Sequence, residues 1–266
     1  HCRDPEYGFL TYKCLQCGEI KTIPLACKSR ICTSCGKKYA DEWADRLALT
    51  LYSVPHRHMV FTIPDKLREV LGANHSLLKV LMDAVSRTMK QMVKGRRRAV
   101  PGVVCVLHIY GRDLQLNPHV HVLATEGGLT KQGEWIPVTF LEYGKLRRIW
   151  QYQLLTALKR QMPKTWENSR LVNSLFKNHP EGFYIYAKQR VTKPRKIARY
   201  IGRYLRHPAI AESRITDFNP KTNTVTFWYQ LNGAVETVTM SALVFIDRLV
   251  KLIPDKNLKL IRYYGL

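Results

Sequence analysis

The sequence predicts an α+β fold in which a small Cys-rich, zinc-binding module precedes a larger mixed body, and three observations carry that reading. Through residues 54–266, short runs of β-forming residues alternate with segments of helical periodicity. Two of those runs, Val103 to Tyr110 and His119 to Thr125, follow each other across a short turn around Asn117-Pro118 and read as an antiparallel hairpin, which argues against a parallel doubly wound sheet. Six of the 7 cysteines fall within the first 35 residues. The expected division is a zinc-binding module at 1–40, a connecting helix at 41–53, and one large domain at 54–266.

The cysteines are Cys2, Cys14, Cys17, Cys27, Cys32 and Cys35, with Cys105 alone in an apolar run. Cys14-Leu15-Gln16-Cys17-Gly18 and Cys32-Thr33-Ser34-Cys35-Gly36 are two CxxC knuckles with 14 residues between them, each followed by the Gly that lets backbone amides turn toward the thiolates. Four soft thiolates at that spacing suit a closed tetrahedral Zn2+ site, so Cys14, Cys17, Cys32 and Cys35 are the expected ligands. Cys2 and Cys27 are left as either a second site with His1 and a ligand from upstream or a pair of buried thiols. With no secretory pattern and a body that needs no staples, a reducing cytoplasmic setting fits the thiols better than disulfides do.

The remaining elements follow in order. Trp43, Leu47 and Leu51 recur every four residues, predicting a helix over 37–53 that leaves the zinc module. His58 to Ile63 is a strand stopped by Pro64, residues 65–93 are helical, and Gly95-Arg96-Arg97-Arg98 is a basic loop. After the hairpin come helices at 141–162 and 166–178, a strand from Phe183 to Arg190, and a helix from Pro194 to about Arg206. Short strands near 212–217, 222–230 and 234–239 precede a final helix at 241–252, and no internal repeat is evident.

Charge narrows the function classes. Lys plus Arg number 43 against 20 Asp plus Glu, a formal net charge of +23. Such a surface repels itself unless it meets a polyanion, and nucleic acid is the first partner to consider. No apolar run approaches the roughly 20 residues of a spanning helix, so no membrane partner is expected.

Within a strand, residues two apart share a face, so His119 and His121 project together. Two desolvated imidazoles on one face are most simply accounted for by a shared metal ion. His108, on the neighbouring arm of the hairpin, is the expected third ligand. His56 and His58 form a second HxH, a weaker site because Arg57 must then find the opposite face. Three histidines leave coordination positions open for water or a phosphate oxygen, so an ion there can polarise a phosphodiester as a Lewis acid. In the helix from Pro194, Tyr200 and Tyr204 lie at i and i+4 on one face, beside the apolar stripe of Ile197, Ile201 and Leu205. They are either the edge of that stripe or reactive phenols. A glycine inside a helix costs roughly 1 kcal/mol, and Gly202 therefore needs a reason such as the close approach of another backbone or a ligand.

Four blocks in this order resemble the two-tyrosine HUH transposases of rolling-circle insertion sequences, the insertion-sequence-ninety-one-like family. They are the Cys-rich module with CxxCG and Cys27 to Gly36, the strand His56 to Pro64, the segment Gly111-Arg112-Asp113-Leu114 through Asn117-Pro118-His119-Val120-His121-Val122-Leu123, and Tyr200-Ile201-Gly202-Arg203-Tyr204. The likeness runs over nearly the whole chain. It implies an HUH endonuclease domain with a ferredoxin-like antiparallel sheet and the HUH strand at its centre. It further implies that His119 and His121 hold a catalytic Mg2+ or Mn2+, that Tyr200 and Tyr204 are paired nucleophiles on single-stranded DNA, and that transposon ends and target are joined through a 5'-phosphotyrosine. The third ligand varies across HUH enzymes, and His108 is the expectation. Arg199, Arg203, Arg206 and the loop Arg96, Arg97, Arg98 are candidates for phosphate contacts. A bacterial cytoplasmic protein associated with the nucleoid would fit this role. The alternatives are a plasmid-type rolling-circle replication initiator, which would not be expected to carry this zinc module, and a zinc-ribbon DNA-binding regulator without catalysis.

Overall fold

The computed structural model describes residues 2–29, 32–94, 99–138, 141–191, 194–202, 210–231, 233–251 and 253–266. The amino-terminal part is a hairpin of β1 (Phe9–Lys13) and β2 (Ile20–Pro24), followed by helix α1 (Thr33–Thr50). The expected connecting helix thus begins four residues earlier than the 37–53 periodicity suggested. Cys32 is its N-cap, and Cys35 lies in its first turn.

The central sheet contains β3 (His56–Phe61), β4 (Val103–Tyr110), β5 (Leu116–Thr125), β8 (Ile185–Val191) and β12 (Ile261–Tyr264) in the order β12-β4-β5-β3-β8, with every neighbouring pair antiparallel. The strand carrying His119 and His121 is the middle one. Between these strands come α2 (Asp65–Ala73), α3 (Leu78–Lys94), the small pair β6 (Gly127–Leu129) and β7 (Trp135–Pro137), α4 (Tyr143–Gln161), α5 (Trp166–Asn178) and α6 (Pro194–Gly202). A three-stranded antiparallel sheet of β9 (Ile215–Asn219), β10 (Thr224–Leu231) and β11 (Ala234–Ser241) then leads into α7 (Ala242–Lys251). It has its own small core of Leu114, Ile210, Val225, Phe227 and Phe245.

Both faces of the central sheet are covered, which is why β4 reads as a nearly continuous apolar run rather than an alternation. On one face Met59, Phe61, Cys105, Leu107, Val120 and Val122 pack against Leu67 and Leu71 of α2, Leu81 and Val85 of α3, and Trp150 and Leu154 of α4. On the other face Val104, Val106 and Leu123 meet Trp43, Ala44 and Leu47 of α1 and Ala198 and Ile201 of α6. Each large apolar side chain so buried contributes about 1.5–3 kcal/mol relative to exposure, so α1 is held to the sheet by apolar packing.

Two boundaries differ from expectation for identifiable reasons. The reversal between β4 and β5 falls at 111–115, where Asp113 Oδ1 accepts the Gln115 N–H at 3.2 Å and Leu114 adopts φ 63°. Asn117 and Pro118 lie inside β5, where β3 does not reach because its pairing stops at Phe61 opposite Val120, so the missing N–H of Pro118 breaks no ladder on that side. The single helix expected over 65–93 is divided at Asn74, whose side chain accepts the Ser76 N–H and starts a new turn. Strands β1, β2, β6, β7 and β12 were not anticipated. The basic loop Arg96 to Arg98 lies outside the described residues.

Candidate active site and zinc module

The four cysteines that the structure brings together differ from those that the CxxC spacing suggested. Cys2, Cys27, Cys32 and Cys35 bring their sulfurs within 4.8 Å of one another. Cys2 and Cys35 are 3.4 Å apart and Cys27 and Cys35 3.8 Å apart. A tetrahedron with Zn–S bonds of about 2.3 Å has edges near 3.8 Å, so the four thiols fit a closed structural Zn2+ site. Cys14 and Cys17, the other expected pair, lie apart from this group. Residues 9–13 and 20–24 pair along their length, which carries the first CxxC out to the hairpin tip and leaves Cys2 and Cys27 flanking its base, where Arg3 N–H donates to the Leu25 carbonyl. The amide of Cys35 draws the Cys32 thiol down to about 7, which favours the thiolate that a metal needs.

The histidines collect on the sheet face beneath α1 and α6. His108 pairs directly with His119 across β4 and β5, and His58 of β3 pairs with Leu123, which sets it diagonally beside His121. Ligand nitrogens of His108, His119 and His121 all lie within 4.8 Å of one another, with His108 Nδ1 and His119 Nε2 at 3.2 Å. Because a carbonyl can only accept, the 2.6 Å contact of His119 Nδ1 with the Asn117 carbonyl puts the proton on Nδ1 and leaves the Nε2 lone pair facing His108. Burial, reinforced by the neighbouring His119, lowers His108 to about 3. Burial and the flanking imidazoles push His121 far below its ordinary value, and burial also lowers His119. All three are therefore neutral near pH 7, the form that coordinates, and the three imidazoles fit a divalent metal ion.

His58, expected as part of a weaker site, lies beside this group rather than within it. Its Nε2 stands 3.2 Å from His121 Nδ1, and its ring meets Tyr200 edge-on at 4.9 Å. The expected difficulty with Arg57 is resolved on the opposite sheet face, where it donates to Glu126 at 2.6 Å and to the Tyr143 hydroxyl at 2.8 Å. His56 is buried and donates from Nδ1 to the Val54 carbonyl, outside the metal-ligand group.

Tyr200 rides on α6, and α6 lies against α1. A Cβ on Gly202 would stand 3.1 Å from the Ala40 carbonyl oxygen and 3.5 Å from Ala44 Cβ, so this glycine permits the close crossing of the two helices. Arg199 is exposed and lies 3.8 Å from Asp45 of α1. Tyr204, Arg203 and Arg206 fall outside the described residues. Among the described residues no helix is long and apolar enough to cross a membrane.

Residues 1–63 match the family model described as "Transposase zinc-binding domain", and residues 102–266 match the one described as "Putative transposase". The chain is 32% identical over 282 residues to the "Transposase for insertion sequence element IS801" of Pseudomonas savastanoi pv. phaseolicola, covering 99% of this chain and 67% of that protein. It is 26% identical over 285 residues to "Putative transposase y4qJ" of Sinorhizobium fredii, covering 99% of this chain and 71% of the other. No solved structure matches the chain.

Proposed function

Because the chain belongs to the insertion-sequence-ninety-one-like family of transposases, we propose that it cleaves and rejoins single-stranded DNA through a 5'-phosphotyrosine intermediate during rolling-circle transposition. The observation that carries this reading is the group of His108, His119 and His121 on the sheet face over which α6 presents Tyr200. His108, His119 and His121 would hold a divalent Mg2+ or Mn2+, which would supply charge neutralisation at the scissile phosphate.

The rest of the chemistry falls to the chain. The Tyr200 Oη attacks phosphorus, the Oη–P bond forms as the P–O3' bond breaks, the phenol proton leaves, and the departing 3' oxygen takes up a proton. A free 3'-OH and a tyrosine-linked 5'-phosphate result, and the ester retains the bond energy needed for rejoining without ATP. Tyr204 is the second nucleophile, so that another strand can be cut while the first covalent link persists. Arg199, Arg203, Arg206 and the Arg96 to Arg98 loop neutralise backbone phosphates of the single strand, as a chain of net charge +23 is suited to do. Cys2, Cys27, Cys32 and Cys35 hold a structural Zn2+ at the start of α1, with the cytoplasm and nucleoid as the setting.

Incubating the chain with single-stranded DNA and Mn2+, then resolving the mixture under denaturing conditions, tests the proposal. A metal-dependent protein–DNA adduct that disappears when both tyrosines are replaced by Phe is the expected result. Binding without any adduct, across a pool of strands containing the element's own ends, would overturn it in favour of a non-catalytic regulator.

A further inference from the structure

The first CxxC has no role in the Cys2, Cys27, Cys32, Cys35 cluster, yet it has the local form of a metal knuckle. Cys14 N–H donates to the Glu19 carbonyl at 2.8 Å, Gly18 N–H donates to the Cys14 carbonyl at 3.0 Å, and Gly18 takes φ 74° to close the turn. The amides of Cys17 and Gln16 point at the Cys14 sulfur and draw its thiol below the ordinary value. Both thiols are exposed. They belong to no group of three or more candidate ligands among the described residues. A tetrahedral Zn2+ site needs four donors, and this knuckle offers two.

The described residues around the knuckle do not supply the other two. It caps a hairpin whose strands are exposed along nearly their whole length, so the rest of the described chain does not approach it. Leu15, inside the knuckle, is 100% exposed, and Leu10, Tyr12, Ile20 and Ile23 are exposed on the strands behind it. Two such tips meeting head on would supply four thiolates and cover both copies of Leu15. The Lys13 side chain reaches within 4.0 Å of where a Gly18 Cβ would stand. A Zn2+ ion with four thiolates carries a net charge of about −2, which Lys13 of each copy offsets.

We propose that Cys14 and Cys17 form half of an intermolecular zinc site, completed by the same two cysteines of a second copy of this chain, so that zinc joins two transposase chains through their hairpin tips. The pairing is independent of the nuclease chemistry, because the hairpin tip carries none of its residues. For an enzyme that must handle two DNA ends, such a clasp keeps two nuclease centres on one particle.

Molar mass by light scattering and zinc content by elemental analysis, both on the zinc-replete full chain under reducing conditions, test this together. The wild type is expected to be a dimer holding three zinc ions per two chains. The Cys14→Ser, Cys17→Ser double variant is expected to be a monomer holding one zinc per chain, with an unchanged circular dichroism spectrum and undiminished adduct formation on single-stranded DNA. A monomeric wild type, with either one or two zinc ions per chain, would overturn the proposal, as would a dimer that survives in the double variant.

Discussion

The Nε2 of His58 lies 3.2 Å from the Nδ1 of His121, with the two rings stacked at 7° and their centroids 5.4 Å apart. This contact engages the His121 Nδ1 and holds the ring orientation, as outer partners of metal-bound imidazoles commonly do. His58→Ala is therefore expected to weaken divalent metal affinity by roughly 10- to 100-fold. His58→Gln, which keeps a hydrogen-bonding group, should retain part of it. Mn2+ titration followed by calorimetry reads this directly, and affinity unchanged in the Ala variant would remove His58 from the site.

Metal ligands and nucleophiles should fail in different ways. Tyr200→Phe with Tyr204→Phe removes only two hydroxyls, so metal and DNA binding are expected to persist while the covalent adduct vanishes. His108→Ala, His119→Ala and His121→Ala should each lower metal affinity and cleavage together, with partial recovery in excess Mn2+. Activity near wild type in His108→Ala would place the third ligand elsewhere. Of the single tyrosine variants, Tyr200→Phe is expected to block the first cleavage. Adduct mapping by peptide mass spectrometry identifies the tyrosine that attacks first.

Gly202 offers a packing test remote from the chemistry. A Cβ would stand 3.1 Å from the Ala40 carbonyl, so the larger Val side chain requires α6 and α1 to shift apart by at least a few tenths of an ångström. Gly202→Val is expected to cost about 1–3 kcal/mol of stability and to reduce adduct yield more than it reduces metal affinity, since Tyr200 moves with α6 while the histidines stay on the sheet. Thermal melting, read beside the metal titration, separates the two effects.

The thiols should be sharply unequal toward an alkylating agent. Cys14 is exposed, and the amides of Cys17 and Gln16 hold its thiol below the ordinary value. Cys105 is fully buried, and burial, with Asp83 nearby, pushes its thiol well above. In the zinc-depleted native chain near pH 7, iodoacetamide is expected to modify Cys14 within minutes and leave Cys105 untouched until the fold is denatured. Time-resolved mass spectrometry of the peptides checks this, and early labelling of Cys105 would show that the sheet opens when zinc is lost.

Much of this architecture is written locally in the chain. The β4 and β5 strands, the shared face of His119 and His121 and the partnership of His108 follow from two-residue alternation and a short reversal, all contacts near in sequence. Helices α4, α5 and α7 carry their own periodicity, and Thr165 and Ser241 cap the last two. What local pattern does not encode is which distant segments meet. Cys2 joins Cys35 because a hairpin folds out of the way, although CxxC spacing alone favours the two knuckles. His58 enters the site because β3 pairs with β5 across 63 residues of separation, a register that no nearby residue announces. The edge strand β12 is a short run whose place depends on β4 already being present.

The helix that starts at the cysteine cluster also roofs the histidine face, through Trp43, Ala44 and Leu47. Residues on either side of this helix therefore depend on one another for their packing. An exchange between relatives that swapped residues 1–63 alone would import a foreign roof, and the crossing at Ala40 and Gly202 would have to be rebuilt on both sides at once. Lineages of these elements should thus show paired change on the two helices even where the zinc-binding cysteines themselves stay fixed.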